Sequence, residues 1–299
     1  MMNENNKIAF LGGDKRQSIT AEKMSERGWD CCIWGQDSSN REVVRHSDSL
    51  GEAVRGARAV VLPLPASLDG VTLNSAPSES EGRVRLESVT KALPDGALLI
   101  GGKLPTAFVE SAKKRNITCF DYFESEAFQI KNAYITAEAA VAIAMNNIGK
   151  TVRGSRFAVT GYGRISKQLT KLLCGLGANV TVLARKESDL AFASLDGCGT
   201  ISLSGDKDRA VGELLRDYDV IFNTVPSLIF GRAFLERVDK DVLIIELASA
   251  PGGIDVCAAR DLGSRVLWAS ALPGKYAPQS AGELIAECVE KYFARREDK

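Results

Sequence analysis

Gly161-Tyr162-Gly163-Arg164-Ile165-Ser166 has the residue types and spacing to hold a pyrophosphate. Gly161 permits a tight turn, and Gly163 lets the backbone approach phosphate oxygens with no Cβ in the way. The third small position, Ser166, packs the following helix close to the preceding strand. Serine there predicts a slightly wider helix–strand contact than glycine would give. The apolar run Arg156-Phe157-Ala158-Val159-Thr160 leads into the turn, and a helical pattern over Ile165 to Leu176 leaves it, closed by Gly175 and Gly177. The first amides of that helix and its positive dipole end face the anion. A glycine turn by itself often only joins a strand to a helix. Here a second strand, Asn179 to Ala184, arrives at the distance a dinucleotide-binding unit requires.

That second strand ends in Arg185-Lys186 and carries no acid there. A carboxylate at this position would bond a ribose 2′-hydroxyl and repel a 2′-phosphate. Two cations attract the phosphate, with Ser188 as a further donor, and the charge argument points to NADP(H). The alternative is a solvated basic loop. The cofactor-contacting set is Gly161, Tyr162, Gly163, Arg164, Ile165, Arg185 and Lys186, joined by Asn223, Thr224, Val225, Pro226 and Ala248 from later strand ends. Asn223-Thr224-Val225-Pro226 is expected to face the nicotinamide ribose.

Other strand ends carry candidate substrate contacts. Ser249 lies in Glu246-Leu247-Ala248-Ser249-Ala250-Pro251-Gly252-Gly253, and Lys275 in Leu272-Pro273-Gly274-Lys275. Asp14 and Arg16 leave the first strand of the chain, and Lys103 follows the strand Ala97 to Ile100. An arginine can form a forked pair with a substrate carboxylate, which a lysine cannot. Thr136 and Glu138 fall in the expected first turn of a helix from Ile135 or Thr136 to about Ile148, where they could cap it. Glu124 and Glu126 read either as proton-transfer groups or as a solvated acidic loop. His46 is the one histidine, in the polar stretch Arg45-His46-Ser47-Asp48, and reads as a surface residue.

These positions need two alternating β/α domains. Strands are expected at Lys7 to Leu11, Asp30 to Trp34, Ala59 to Leu64, Ala97 to Ile100 and Ile117 to Phe120, with helices Lys15 to Arg27, Leu50 to Gly56, Arg83 to Leu93 and Pro105 to Lys114 between them. A loop rich in Ser, Pro and Gly runs from Pro65 to Gly82. Further strands are expected at Val220 to Asn223, Val242 to Glu246 and Val266 to Ala269. The fold class is therefore α/β: two doubly wound parallel-sheet domains, the second a Rossmann NAD(P)-binding domain, with a C-terminal helix, Ser280 to Arg295, returning to the first. The expected division is residues 1–131 plus 278–299 for a flavodoxin-like substrate domain, and 132–277 for the NADP-binding domain with its linking helix. A chain of 299 residues suits two domains. With 38 basic and 38 acidic residues, no net field recruits nucleic acid or an anionic membrane. No apolar run approaches a membrane span, and the polar start has no signal-peptide core. The 7 scattered cysteines include no C-x-x-C pair and read as free thiols in a reducing cytoplasm.

The chain resembles the family of dipicolinate synthase A subunits over nearly its whole length. The resemblance rests on Gly12-Gly13-Asp14-Lys15-Arg16-Gln17, Gly161-Tyr162-Gly163-Arg164, Gly177-Ala178-Asn179-Val180 and Asn223-Thr224-Val225-Pro226-Ser227. It continues in Leu247-Ala248-Ser249 with Pro251-Gly252-Gly253, and in Leu272-Pro273-Gly274 with Ala277-Pro278 and Ala281-Gly282. Two positions depart from the family pattern: Ser166 stands for glycine, and Ala250 for an arginine. The resemblance implies a substrate that is dihydrodipicolinate or its hydroxytetrahydro precursor, oxidised with NADP to dipicolinate in the mother cell of a sporulating bacterium. It also implies a partner, a flavoprotein-like B subunit, and a homo-oligomer is expected. Rival readings are another two-domain dehydrogenase of amino or hydroxy acids, and a non-catalytic NADP(H)-binding regulatory protein.

Overall fold

Ile8-Ala9-Phe10-Leu11 is apolar without alternation, as a strand covered on both faces must be, and all four residues are fully buried. The computed structural model containing it describes residues 6–36, 42–75, 83–204 and 208–297. The end of the expected loop from Pro65 to Gly82 lies outside these residues.

The chain divides into two units, residues 1–132 with 277–299, and residues 133–276. The first unit begins with β1 (Lys7–Leu11), α1 (Lys15–Glu26), β2 (Asp30–Trp34), β3 (Arg45–His46), α2 (Leu50–Val54) and β4 (Ala59–Val61). It continues with α3 (Leu86–Ala92), β5 (Leu98–Gly101), α4 (Thr106–Lys113), β6 (Thr118–Asp121) and a 3-10 turn at Tyr122–Glu124. Its sheet is six-stranded and parallel, in the order β3-β2-β1-β4-β5-β6. Without the two-residue edge strand β3, this is the 2-1-3-4-5 order of flavodoxin-like sheets.

The helix α5 (Glu126–Ile148) carries the division between the units within it. The second unit then runs β7 (Arg156–Thr160), α6 (Arg164–Gly175), β8 (Asn179–Ala184), α7 (Glu187–Leu195), β9 (Gly199–Ser202), α8 (Asp208–Leu214) and β10 (Val220–Asn223). It closes with α9 (Arg232–Leu235), β11 (Leu243–Glu246), α10 (Val256–Leu262), β12 (Val266–Trp268) and α11 (Leu272–Tyr276). Its sheet, β12-β11-β10-β7-β8-β9, is also six-stranded and parallel. This is the 3-2-1-4-5-6 order of dinucleotide-binding domains read from the other edge.

The last helix, α12 (Pro278–Glu297), returns to the first unit and crosses α1. Gly282 sets how closely it crosses, because a Cβ there would lie 2.7 Å from Ile19 Cγ2 and 2.8 Å from the Arg16 carbonyl. Thr20 Oγ1 donates to the Gly282 carbonyl at 3.0 Å. Trp29 packs on Phe293 and Phe120 on Tyr292, with ring centroids 4.5 and 4.3 Å apart.

One expectation fails clearly. Thr136 and Glu138 do not lie in a first turn, because α5 begins at Glu126. The acidic stretch that reads as a loop suits a helix start, since Glu126 favours the positive dipole end. Phe128 anchors the start by burying its ring 5.1 Å from that of Tyr122. His46 also differs, being a partly buried residue of β3.

Candidate active site

β7 lies at the switch point of the second sheet, between β8 and β10, where a doubly wound domain opens its ligand crevice. Gly161 has φ +75°, and a Cβ on it would meet Val225 Cγ2 at 2.9 Å and Thr224 Oγ1 at 3.2 Å. Only glycine lets the turn fold back against the loop after β10. Gly163 is the N-cap of α6 and makes no side-chain cap bond. A Cβ on Gly163 would meet nothing within 4 Å. The helix therefore presents its first turn to open space without a capping side chain, the arrangement that accepts a phosphate. On these grounds the turn fits a dinucleotide.

Ser166 does more than widen a contact. It is fully buried, and its hydroxyl pairs with Thr224 Oγ1 at 2.8 Å, while Thr224 Oγ1 donates to the Thr160 carbonyl at 2.7 Å. The serine thus ties α6 to the end of β7 and to the loop after β10. Tyr162 is buried, and its hydroxyl donates to Asp196 at the end of α7. Burial and then that bond push the phenol well above its ordinary pKa. Arg164 and Ile165 open α6.

At the end of β8, Ala184 is buried where an acid would contact a ribose. Arg185 and Lys186 follow it, both exposed, and Ser204 Oγ donates to the Arg185 carbonyl at 3.2 Å. Glu187 and Asp189 stand just beyond, in the first turn of α7.

The ends of β7, β10 and β11 are joined by a buried polar network. Asn223 is fully buried, so its side chain is committed inward rather than presented beyond the strand end. Its Oδ1 accepts from Thr160 Oγ1 at 2.6 Å and from the Val225 amide at 3.2 Å. Its Nδ2 donates to both oxygens of Glu246, at 2.7 and 2.8 Å, and to the Val225 carbonyl at 3.0 Å. Glu246 is 1% exposed and also accepts from the amides of Ala248 at 2.9 Å and Gly253 at 2.8 Å. Sequence reasoning leaves Glu246 out of the site. Its signal is a single acid closing the apolar run Val242-Leu243-Ile244-Ile245.

Asp14 and Arg16 belong to the first unit and are brought together. Asp14 is the N-cap of α1 and accepts from the Arg16 amide at 3.0 Å. The Arg16 guanidinium forks onto the same carboxylate through Nε at 2.9 Å and Nη2 at 2.8 Å, and Nη2 also donates to the Leu64 carbonyl at 2.6 Å. Burial alone would raise the Asp14 pKa, but the bonds and charge of Arg16 outweigh it and hold the carboxyl below its ordinary value. The fork expected to grip a substrate carboxylate thus grips Asp14. Lys103 follows β5 with φ +52°, its ammonium 4.7 Å from the centre of the Phe123 ring.

The remaining candidates lie in the second unit. Thr136 is buried within α5, and Glu138 lines a groove of about 660 Å³ between α5 and α6, beside Tyr134, Met145, Lys171 and Leu176. Ser249 and Lys275 are exposed, in the loop after β11 and in α11.

Two parallel doubly wound sheets, the second with an uncapped glycine turn at its switch point, define the class: the two-domain oxidoreductase fold that works with a nicotinamide cofactor. The transhydrogenase of Sinorhizobium meliloti has this fold, with TM-score 0.67 and 15% identity over 96% of this chain and 93% of that one. More specifically, residues 7–123 match the family described as the N-terminal domain of the dipicolinate synthase A subunit. The dipicolinate synthase A subunit of Bacillus subtilis (strain 168) is 29% identical over 293 residues, 96% of each chain. The crystal structure of the dipicolinate synthase A subunit from Bacillus halodurans matches with TM-score 0.83 and 27% identity, over 97% of this chain and 98% of that one. The chain thus stands among the relatives of the dipicolinate synthase A subunit.

Proposed function

We propose that the chain oxidises dihydrodipicolinate, or the hydroxytetrahydro precursor after loss of water, to dipicolinate with NADP⁺, as the A subunit of a dipicolinate synthase in a sporulating mother cell. One observation carries the reading: α6 begins at Gly163 with no capping side chain and with open space beyond its Cα, in a chain that along its length resembles one subunit of a dipicolinate synthase.

The residues divide the work. Gly161, Tyr162, Gly163, Arg164 and Ile165 would hold the pyrophosphate, and Arg185 and Lys186 the 2′-phosphate. Thr224, Val225, Pro226 and Ala248 would border the nicotinamide end. Asp14, Arg16, Lys103, Thr136, Glu138, Ser249 and Lys275 are the proposed substrate set. Arg16 and the lysines supply positive charge for a substrate with two carboxylates. The nucleotide, when bound, takes a hydride from the ring, and a proton leaves with it. Aromatisation of the pyridine drives the step, so water suffices as the proton acceptor and no histidine is needed. The proposed domains are residues 1–131 with 278–299 for substrate and 132–277 for the nucleotide. The name of the B. subtilis relative denotes one subunit of a synthase, which supports a partner in the form of a B subunit; a homo-oligomer is proposed as well.

The test mixes the purified chain with dihydrodipicolinate synthase, pyruvate, aspartate semialdehyde and NADP⁺, and follows NADPH and the pyridine product. Chain-dependent formation of both is expected. Product formed at the same rate without the chain overturns the reading.

A further inference from the structure

The 2′-position of the dinucleotide is read at the end of the second strand of a Rossmann unit, which here is β8. The adenosine half therefore lies on the β8 side of the glycine turn. The nicotinamide half lies on the other side, over the ends of β10 and β11. Both loops that leave those strands hang on one buried carboxylate. Glu246 receives four N–H contacts within 2.9 Å: two from Asn223 Nδ2, one from the Ala248 amide and one from the Gly253 amide. Asn223 passes the constraint on to the Val225 amide and carbonyl, 3.2 and 3.0 Å away. The two loops also close on each other. The Gly253 carbonyl accepts from the amides of Ile229 and Phe230 at 2.9 and 2.8 Å. A Cβ on Gly253 would strike Asn223 Nδ2 at 2.5 Å and the Val225 carbonyl at 2.8 Å.

Taking a carboxylate out of water is expensive unless its oxygens are fully bonded. Closing a loop needs no charge. A buried acceptor with several donors does something a neutral side chain cannot: it holds several backbone amides of separate segments in one arrangement. We propose that Glu246 is a positioning residue. With Asn223 it fixes Thr224-Val225 and the Ala248–Gly253 loop in the one arrangement that receives the nicotinamide half of the dinucleotide. The proposal rests on reading Gly161–Gly163 as the dinucleotide site.

Glu246→Gln keeps the shape and replaces one acceptor oxygen by a donor that faces a backbone N–H. Titration of the full chain is expected to show NADP⁺ affinity lowered tenfold or more. Affinity for adenosine 2′,5′-bisphosphate, which lacks the nicotinamide half, is expected to stay within twofold. Hydrogen exchange at Ala248 and Gly253 is expected to accelerate in the variant without ligand. Should Glu246→Gln fail to fold, Asn223→Ser reads the same split, with NADP⁺ affinity lowered about threefold and the bisphosphate unchanged. Equal loss for both ligands, or loss for neither, overturns the positioning role. Wild-type chain that binds neither NADP⁺ nor NAD⁺ overturns the dinucleotide reading itself, and the exchange data still report separately whether Glu246 pins the loops.

Discussion

The two glycine turns of this chain occupy the same place in similar sheets and end in opposite states. Each follows the first strand of its domain and opens a 12-residue helix. At the first turn the protein satisfies itself. Gly13 donates to the Asn74 carbonyl at 2.7 Å, a Cβ on Gly12 would sit 2.9 Å from the same oxygen, and Asp14 caps α1 with its own carboxylate. At the second turn Gly163 provides no cap and meets nothing. A helix N-terminus attracts anions in either case. The difference is whether the chain supplies the anion. Topology alone would give both domains a phosphate site, and one side chain at the N-cap decides which keeps it.

The largest effect should come from giving the second turn what the first already has. Gly163→Asp places a carboxylate in open space at an ordinary φ of −86°, where aspartate is a better cap than glycine by a few tenths of a kcal/mol. Thermal stability is expected to hold or rise slightly. Nicotinamide nucleotide affinity is expected to fall at least a hundredfold, about 2.7 kcal/mol, because the cap repels the pyrophosphate and competes for its amides. Unchanged affinity in a titration would remove this turn from the site. Next in size is Arg185→Ala with Lys186→Ala. Each charge-assisted contact contributes about 1.5–3 kcal/mol, so the ratio of NADP⁺ to NAD⁺ affinity should fall by roughly tenfold to a hundredfold, with NAD⁺ affinity little changed. An unaltered ratio would leave the pair as solvated surface.

The contrast between the turns is only half legible in the sequence. Gly161 and Gly163 announce themselves by spacing, and the strand and helix around them can be read to within a residue or so of their true ends. Nothing local says that Arg16 spends its fork on Asp14, because a forked arginine pairs as readily with its own chain as with a ligand. Glu246 is visible as one acid ending an apolar strand, but its four donors come from residues 223, 248 and 253. Their convergence is a property of strand order, which a one-dimensional pattern does not contain. The start of α5 is misread because acidic residues suit a helix's first turn and an exposed loop equally well. Short elements such as β3, α9 and α11, of two, four and five residues, carry too little periodicity to stand out.

The first turn can be opened in its turn. Asp14→Ala removes the cap of α1 and the partner of Arg16, and an N-cap carboxylate contributes about 1 kcal/mol. The half-exposed pair adds little beyond that. The pH dependence has a definite sign. The Asp14 pKa lies lower in the folded chain than in the unfolded one, where it is about 3.9. Its contribution is therefore fully present above the unfolded value and is lost as pH falls through the folded value. Denaturant midpoints of the wild type and the variant should differ at neutral pH and converge in acid. A gap that persists in acid would show that Asp14 acts through packing rather than charge.

The smallest effect should come from the support behind the second turn. The first turn is filled by Asn74, but the second is steadied by Tyr162, whose ring is buried and whose hydroxyl reaches Asp196 beyond α7. That bond holds the turn without occupying the space in front of Gly163, so its loss should be felt in stability before binding. Tyr162→Phe keeps the ring and removes one hydrogen bond, a loss of about 0.5–1.5 kcal/mol in chemical denaturation. Nucleotide affinity should change by less than about threefold, which is under 1 kcal/mol. A much larger loss of affinity with little loss of stability would mean that the hydroxyl works on the ligand side of the turn, and that the second turn, like the first, is partly filled by its own chain.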